Sequence, residues 1–324
     1  MNTEPLRRMA KLLRALHADG TLVLPNAWDA ASAAVIADTG AAAIATTSAG
    51  VAWSLGRPDG ELLPRADLVA AIERMSAAID VPLTADVEAG YGATDEEVAE
   101  TVTAVLGAGA VGINIEDAPA GEPGLYSPEK AAARIQAARA AAVAYGVPDF
   151  VINARTDVYM RRIGDPQTRL DEVLRRAADY AEAGGDCLFV PGLADLAVLE
   201  SLVARSPLPI GASTGPGLPT VVQLRAAGVR RVSVGPALTQ AAYTVTRQLA
   251  GELLRVGRLT TESPRLDYAS LNSLFSHPIS ERNDPCSQSP KSTSTSTRPA
   301  PSPGSPPGGF SRWNTSGTSI CGSG

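Results

Sequence analysis

Histidine is almost absent from this 324-residue chain, which has only His17 near its start and His277 near its end. Cysteine is nearly as scarce: Cys187 lies in an apolar run, while Cys286 and Cys321 lie in a polar tail. These shortages exclude a disulfide framework and a zinc site of Cys/His spacing, and they point to an active site without imidazole. Basic stretches are missing too. The net charge is -6, and no run of Lys and Arg is long enough to follow a phosphate backbone, so nucleic acid is not an expected partner. Nothing resembles a membrane span, and the N-terminus lacks the apolar core of a signal peptide. The expectation is a soluble, cytoplasmic protein without a membrane partner. Its hydrophobic share of 44% is ample for a sizeable core, enough for one large domain or two ordinary ones.

What the chain does have is a rhythm. After an amphipathic stretch at 5–18, read as a lead-in helix with His17 on its solvated side, apolar runs recur. They lie at 22–25, 42–46, 82–86, 112–116, 150–155, 187–191, 209–212 and 231–235. Helical patterns fall between them, most clearly at 68–79, 95–106, 128–145, 169–183, 193–203 and 219–227. Glycine stops at Gly40, Gly109, Gly184 and Gly228 close several of these. Eight such units predict an α/β fold, a (β/α)8 TIM-type barrel with an N-terminal helix and a C-terminal helical extension. The rival is an open doubly wound sheet, but no Gly-x-Gly-x-x-Gly follows the first strand. The repeat ends near 256, and 267–275 reads as a short apolar helix able to dock on a neighbour. We therefore place a catalytic barrel domain at 1–275. Of the 49 residues 276–324, 32 are Ser, Thr, Pro or Gly, a composition that predicts a disordered tail without chemistry of its own.

The stretch 83–92, Leu-Thr-Ala-Asp-Val-Glu-Ala-Gly-Tyr-Gly, organises the functional reading. It predicts a buried strand delivering Asp86 and Glu88 into a glycine-flanked turn. Strand residues two apart share a face, and two anions held together repel unless a cation lies between them. With only oxygen ligands on offer, that cation would be Mg2+, or Mn2+ as a substitute. Taken alone, the motif reads equally well as a strand-end polar residue followed by a solvated carboxylate. Catalytic groups of a barrel lie on the loops after the strands. There the chain places Asn26, Trp28 and Asp29, then Thr47-Ser48-Ala49-Gly50, Asp59, Glu116-Asp117 and Arg155-Thr156-Asp157. Trp28 and Asp29 by themselves read as rim packing and a helix N-cap. A cation holder thus stands beside an anion receiver, suited to a small acid that chelates the metal and ends against Arg155. The structural alternative for Arg155 is an ion pair with Asp157 or Glu116.

Five pieces carry a specific resemblance: Asn26-Ala27-Trp28-Asp29, Thr47-Ser48-Ala49-Gly50, Asp86-Val87-Glu88-Ala89-Gly90-Tyr91-Gly92, Ile115-Glu116-Asp117 and Ala154-Arg155-Thr156-Asp157. Together, in this order, they resemble the isocitrate lyase/phosphoenolpyruvate mutase family. The resemblance implies a Mg2+-dependent enzyme acting on a small 2-oxo or 2-hydroxy acid through an enolate. It implies that Asp86, Glu88 and Glu116 form the metal shell, partly through water, with Asp59 in support. Trp28, Thr47, Ser48 and Ala49 would hold the substrate, and Arg155 its other anionic end. It also implies a homotetramer in which a late helix packs on a neighbouring barrel.

The chain departs from the family's best-defined members. The lyases' cysteine loop after the fourth strand is replaced by 117–127, which holds no cysteine. The mutases' gating lysine and asparagine are missing, Lys130 comes too late, and Pro191 stands where some mutases carry histidine. What remains is chemistry the metal can support unaided, so C–C cleavage is the preferred expectation. Tyr91, Tyr126, Glu122 or a metal-bound water would act as acid or base, and 118–127 as a lid. A phosphonopyruvate-type mutase or hydrolase is the alternative, and a non-catalytic barrel that binds a small acid is the alternative of another class.

Overall fold

Nine short parallel strand segments form one continuous sheet in the computed structural model, which describes residues 3–18, 20–260 and 265–276. They are β1 (Leu22–Leu24), β2 (Asn26–Ala27), β3 (Ile44–Thr46), β4 (Leu83–Asp86), β5 (Gly112–Glu116), β6 (Val151–Arg155), β7 (Cys187–Phe189), β8 (Ile210–Ser213) and β9 (Arg231–Ser233). The order runs β1-β9-β8-β7-β6-β5-β4-β3-β2. Its two ends, β1 and β2, are separated only by Pro25. Proline has no N–H to give to a ladder, so the first stave switches partner there. Leu22 N–H donates to Arg230 O at 2.9 Å, whereas Pro25 O accepts from Ala45 N–H at 3.1 Å on the other side. Nine segments therefore make eight staves, and the barrel closes.

The helices are α1 (Glu4–Ala18), α2 (Ala30–Asp38), α3 (Ser48–Ser54), α4 (Arg65–Ala77), α5 (Asp95–Gly107), α6 (Pro128–Tyr145), α7 (Arg169–Glu182), α8 (Leu196–Arg205), α9 (Val221–Ala226), α10 (Ala237–Val256) and α11 (Tyr268–Ser273). Local chemistry sets their ends. Asp29, Thr94 and Thr220 each form a capping box with the residue three positions on. Gly40, Gly109, Gly184 and Gly228 follow their helices with φ of 88, 97, 96 and 85°, left-handed values that cost glycine little. Among the described residues, no helix is long and apolar enough to cross a membrane.

Alternation along the strands separates two kinds of packing. Ile113, Ile115, Ile152, Leu188 and Val232 are buried in the apolar core, each worth about 1.5–3 kcal/mol when fully removed from water. The alternate residues at the paired positions are small or polar: Thr84, Gly112, Asn114, Asn153, Cys187, Gly211 and Arg231. Gly112 has a steric reason, because a Cβ there would stand 2.8 Å from Val151 O and 3.0 Å from a Leu13 methyl of α1.

Several expectations change. The hydroxyl-rich segment after β3 is helical as α3, and α10 runs for 20 residues where only the end of the repeat was marked. Starts move to where caps stand, as Asp195 opens α8 by accepting from Ala197 and Val198 N–H. His17 is not solvated: its Nδ1 bonds Leu13 O at 2.8 Å and its Nε2 meets Arg231 Nη1 at 3.1 Å. Burial, then Arg231, brings its pKa down to about 4. Cys187 is fully buried as expected, and burial pushes its thiol up to about 12. The tail proposed at 276–324 lies, but for Ser276, outside the described residues, as do His277, Cys286 and Cys321.

Candidate functional site

The strands' C-terminal ends open on a cavity of about 430 Å3, lined among others by Thr47, Ser48, Ala49, Asp59, Asp86 and Arg155. Six of the residues expected at the site are thus brought together. Asp86, the last residue of β4, accepts from Asn114 Nδ2 at 3.0 Å, and from the Ser48 and Glu88 N–H groups at 3.3 Å each. Its own N–H donates to Thr46 Oγ1 at 2.8 Å. Asn114 Oδ1 in turn accepts from Asn153 Nδ2 at 2.7 Å. This amide relay, running from β6 through β5 to β4, fixes the carboxylate from below. Ser48 also hydrogen-bonds Asp59, so the N-terminus of α3 touches both cavity-facing carboxylates.

Glu88 takes a different course. Its φ of 49° and that of Tyr91, 53°, are left-handed, a strain of about 1–3 kcal/mol for each such residue. Arg134 from α6, buried, holds the turn by donating to Ala89 O at 3.1 Å and Gly92 O at 2.8 Å. Glu88 is not among the residues that line the cavity. One oxygen accepts from Tyr91 OH at 2.8 Å and the other from Glu61 N–H at 2.6 Å. Glu61 Oε1 accepts from Tyr91 N–H at 2.8 Å. Glu116, at the end of β5, is committed as well, with Arg155 Nη1 2.8 Å from its carboxylate. Arg155 meets Asp157 twice more, at 2.7 and 3.0 Å. The ion-pair alternative for Arg155 is therefore realised with both partners. Asp117 lies behind them, fully buried, accepting from Asp157 N–H, Arg176 Nη1 and Tyr180 OH at 2.9, 2.9 and 2.8 Å.

Electrostatics bind these carboxyl groups into one cluster. Burial first, then Asp86, raises Asp59. Burial lifts Glu88 to about 7, with Asp86 and Asp59 adding to it against the Tyr91 hydrogen bond. Glu116 is raised well above its ordinary value by burial, opposed by Arg155 and assisted by Asp157, Asp86 and Glu88. Burial works to lower Arg155, and the carboxylates of Glu116 and Asp157 overcome it, so its pKa rises. Among the described residues, however, no three His, Cys, Asp or Glu side chains converge closely enough to hold one ion. Asp86 and Asp59 face the cavity, while Glu88 and Glu116 stand behind.

The remaining expected residues lie elsewhere. Trp28 does not line the cavity. Its ring meets Tyr243 edge-on at 6.5 Å, and a Cβ on Gly50 would come within 2.8 Å of the Trp28 Cβ. Glu122 is exposed, and Arg161 ties its carbonyl at 2.7 Å and that of Gly124 at 2.9 Å, so the segment expected as a lid is tethered. Tyr91 lies with Glu88, and burial followed by that carboxylate raises its phenol. Tyr126 packs beneath Lys130 and Arg134. Asn114, Glu61 and Arg231 were not anticipated, and Asn153 had been given no role. The i, i+2 spacings Asn114–Glu116 and Asn153–Arg155 carried the signal for the two asparagines, since each shares a strand face with a residue already singled out.

Comparison with known proteins agrees with this geometry. Residues 13–254 match the family model described as phosphoenolpyruvate phosphomutase. The 2-methylisocitrate lyase of Escherichia coli is 32% identical over 201 residues, 60% of this chain and 66% of that protein. An oxaloacetate decarboxylase of Rhodopseudomonas palustris is 36% identical over 162 residues, 48% of this chain and 53% of that one. A Burkholderia cenocepacia protein of solved structure, provisionally named a lyase/mutase, superposes with a TM-score of 0.78 at 36% identity, over 85% of this chain and 98% of its own. A match spanning the whole ring of staves, together with the motifs at their ends, makes this chain a member of the isocitrate lyase/phosphoenolpyruvate mutase family.

Proposed function

We propose that this protein is a Mg2+-dependent enzyme that cleaves a C–C bond of a small 2-oxo or 2-hydroxy acid, leaving an enolate. The observation that carries the reading is that Asp86 and Asp59 both line the cavity, with Glu88 and Glu116 each raised by burial and by Asp86. A donor set made wholly of oxygen suits a hard cation, and Mg2+ keeps several waters while taking only one or two carboxylates directly. The residues fit such an ion in that manner: Asp86 would hold it directly, with Asp59, Glu88 and Glu116 reached through water. When bound, the ion supplies Lewis-acid stabilisation for negative charge developing on a substrate oxygen.

The chain's own groups do the rest. Ser48 N–H and hydroxyl, set against Asp86 and Asp59, orient the acid's carboxylate beside the metal position. The relay from Asn153 through Asn114 keeps Asp86 from turning aside. Phe189, Pro191 and Leu218 line the same cavity and exclude water from the bond to be broken. Among the described residues no cysteine or histidine lines it, and a decarboxylation allows water to protonate the product. The names of the two enzymes of known activity, a lyase and a decarboxylase, support the C–C reading.

The oligomer belongs to the same proposal. Leu238, Tyr243, Leu253 and Leu254 of α10 are exposed, the last at 87%, and α11 buries none of its residues. An apolar surface of this kind supports association with further copies, in line with the tetramer that the resemblance implies.

Assaying purified protein with Mg2+ against oxaloacetate, methylisocitrate and phosphonopyruvate tests the reaction. Pyruvate without phosphate is the expected product. Phosphate released from phosphonopyruvate, or phosphoenolpyruvate gained from it, would move the chemistry to the P–C bond. Thermal stabilisation by these acids without any turnover would leave only a binding protein.

A further inference from the structure

Asp59 reaches the cavity on a segment with little support. The segment links α3 to α4, and every residue from 55 to 60 is exposed, Asp59 among them. Left-handed glycines at 56 and 60, with φ of 73 and 102°, let it turn. Near its ends, Arg57 N–H donates to Ala52 O at 2.9 Å and Leu63 is buried. A segment with so few buried contacts opens readily unless something clamps it.

Glu61 supplies the clamp. Its carboxylate crosses to the turn after β4 and accepts from Tyr91 N–H at 2.8 Å, while its own N–H donates to Glu88 Oε2 at 2.6 Å. Burial raises the Glu61 carboxyl. Tyr91 N–H, Arg134, and then the N–H groups of Ala89 and Gly90 draw it back toward the charged form. Successive N–H groups in a left-handed turn form a cradle for an anion, and here the anion is a side chain of the neighbouring loop. Among the described residues four non-glycines have a left-handed φ. Three of them, Glu61 at 57°, Glu88 at 49° and Tyr91 at 53°, meet at this contact. Such conformations persist only where the surroundings over-determine them, and they gather at clamps and active sites. The contact joins the loop bearing Asp59 to the turn that follows Asp86, so it fixes the two cavity-lining carboxylates relative to each other.

We propose that Glu61 is a positioning residue of the mouth: its carboxylate, seated on the N–H groups at 89–91, clamps the exposed segment 55–60 and holds Asp59 beside Asp86. Glu61 does not itself line the cavity, so it acts through Asp59. The inference rests on the functional reading above only in taking a divalent ion as what Asp59 serves.

A double-mutant cycle separates positioning from a general loss of stability. Mn2+ is titrated calorimetrically into the full chain carrying Glu61→Ala, Asp59→Asn or both, each shown to be folded by its thermal transition. Each single variant should weaken Mn2+ binding about tenfold. The double variant should lose no more than either, because the clamp then has no carboxylate left to position. In Glu61→Ala the N–H groups of residue 61 and Tyr91 should exchange with deuterium at least about tenfold faster, while those of β5 keep their rates. Should Glu61→Ala fail to fold, Glu61→Asp, which keeps the charge and shortens the reach by one methylene, enters the same cycle and should show the same pattern with smaller losses. Wild-type Mn2+ affinity in the folded variant, losses that add in the double variant, or unchanged exchange at both N–H groups overturns the clamp and leaves the functional reading standing. Faster exchange in Glu61→Ala together with no Mn2+ binding by wild type removes the functional reading and leaves the clamp.

Discussion

The mouth and the floor of this barrel each hold an arginine, and the two are kept in opposite ways. Arg155 meets two carboxylates within 3 Å, and Arg231 meets a neutral imidazole. The first is part of a cluster with more negative than positive charge; the second is a cation without a counter-ion among the described residues. A region with excess anion is completed by a cation. The comparison teaches that one barrel can keep a buried arginine either by pairing it with carboxylates, as at the mouth, or by packing it against a neutral imidazole, as at the floor.

The largest expected effect breaks the mouth itself. Asp86→Ala should reduce turnover by about two to three orders of magnitude or more and remove stabilisation by Mg2+, while circular dichroism shows the barrel intact. Unchanged turnover would take Asp86 out of the site. Next comes Arg155→Met, which strands Glu116 and Asp157 without their partner. Breaking one side of a buried pair costs about 3–5 kcal/mol, to be read from urea denaturation. A loss below about 1 kcal/mol would mean that the pair is solvent-screened.

A smaller effect concerns pH. Glu88 is raised from 4.5 to about 7, so between those values the folded protein binds more protons than the unfolded chain. Stability should therefore fall as pH rises from about 4.5 to about 7, by an amount on the order of 1–3 kcal/mol. Glu88→Gln should flatten that slope, and Mg2+ should shift it to lower pH. A slope of the opposite sign would contradict the burial of this carboxyl. The smallest effect is at Cys187, which lies in the interior but makes no contact with the expected chemistry. Cys187→Ser should cost about 1–2 kcal/mol for a poorly partnered hydroxyl and leave turnover unchanged. Loss of turnover with a normal thermal transition would assign the thiol a role.

Most of the barrel was legible because the staves pair apolar runs with helices, several of them closed by glycine, and these signals are local. The closing of the ring at Pro25 was not, because it depends on which neighbour each half of a broken strand meets. The carboxylates were legible as a set, since Asp86 and Glu116 end their strands and Glu88 follows Asp86 by two residues. Their directions were not. The left-handed turn at Glu88, held by Arg134 from a distant helix, decides where that side chain points. His17 and Arg231 are 214 positions apart, and only closure of the barrel brings them together. Sequence reading assigned the helix residue to solvent for that reason.

The claim on which the account depends is that the carboxyl cluster at the mouth takes a divalent ion through Asp86. Manganese reports this directly, because its free-ion paramagnetic resonance signal disappears on binding. Titrating Mn2+ into the full chain should remove signal for about one ion per protomer, with Mg2+ competing and Asp86→Ala abolishing the effect. Signal loss that is equal in wild type and Asp86→Ala, or none at all in wild type, would contradict it.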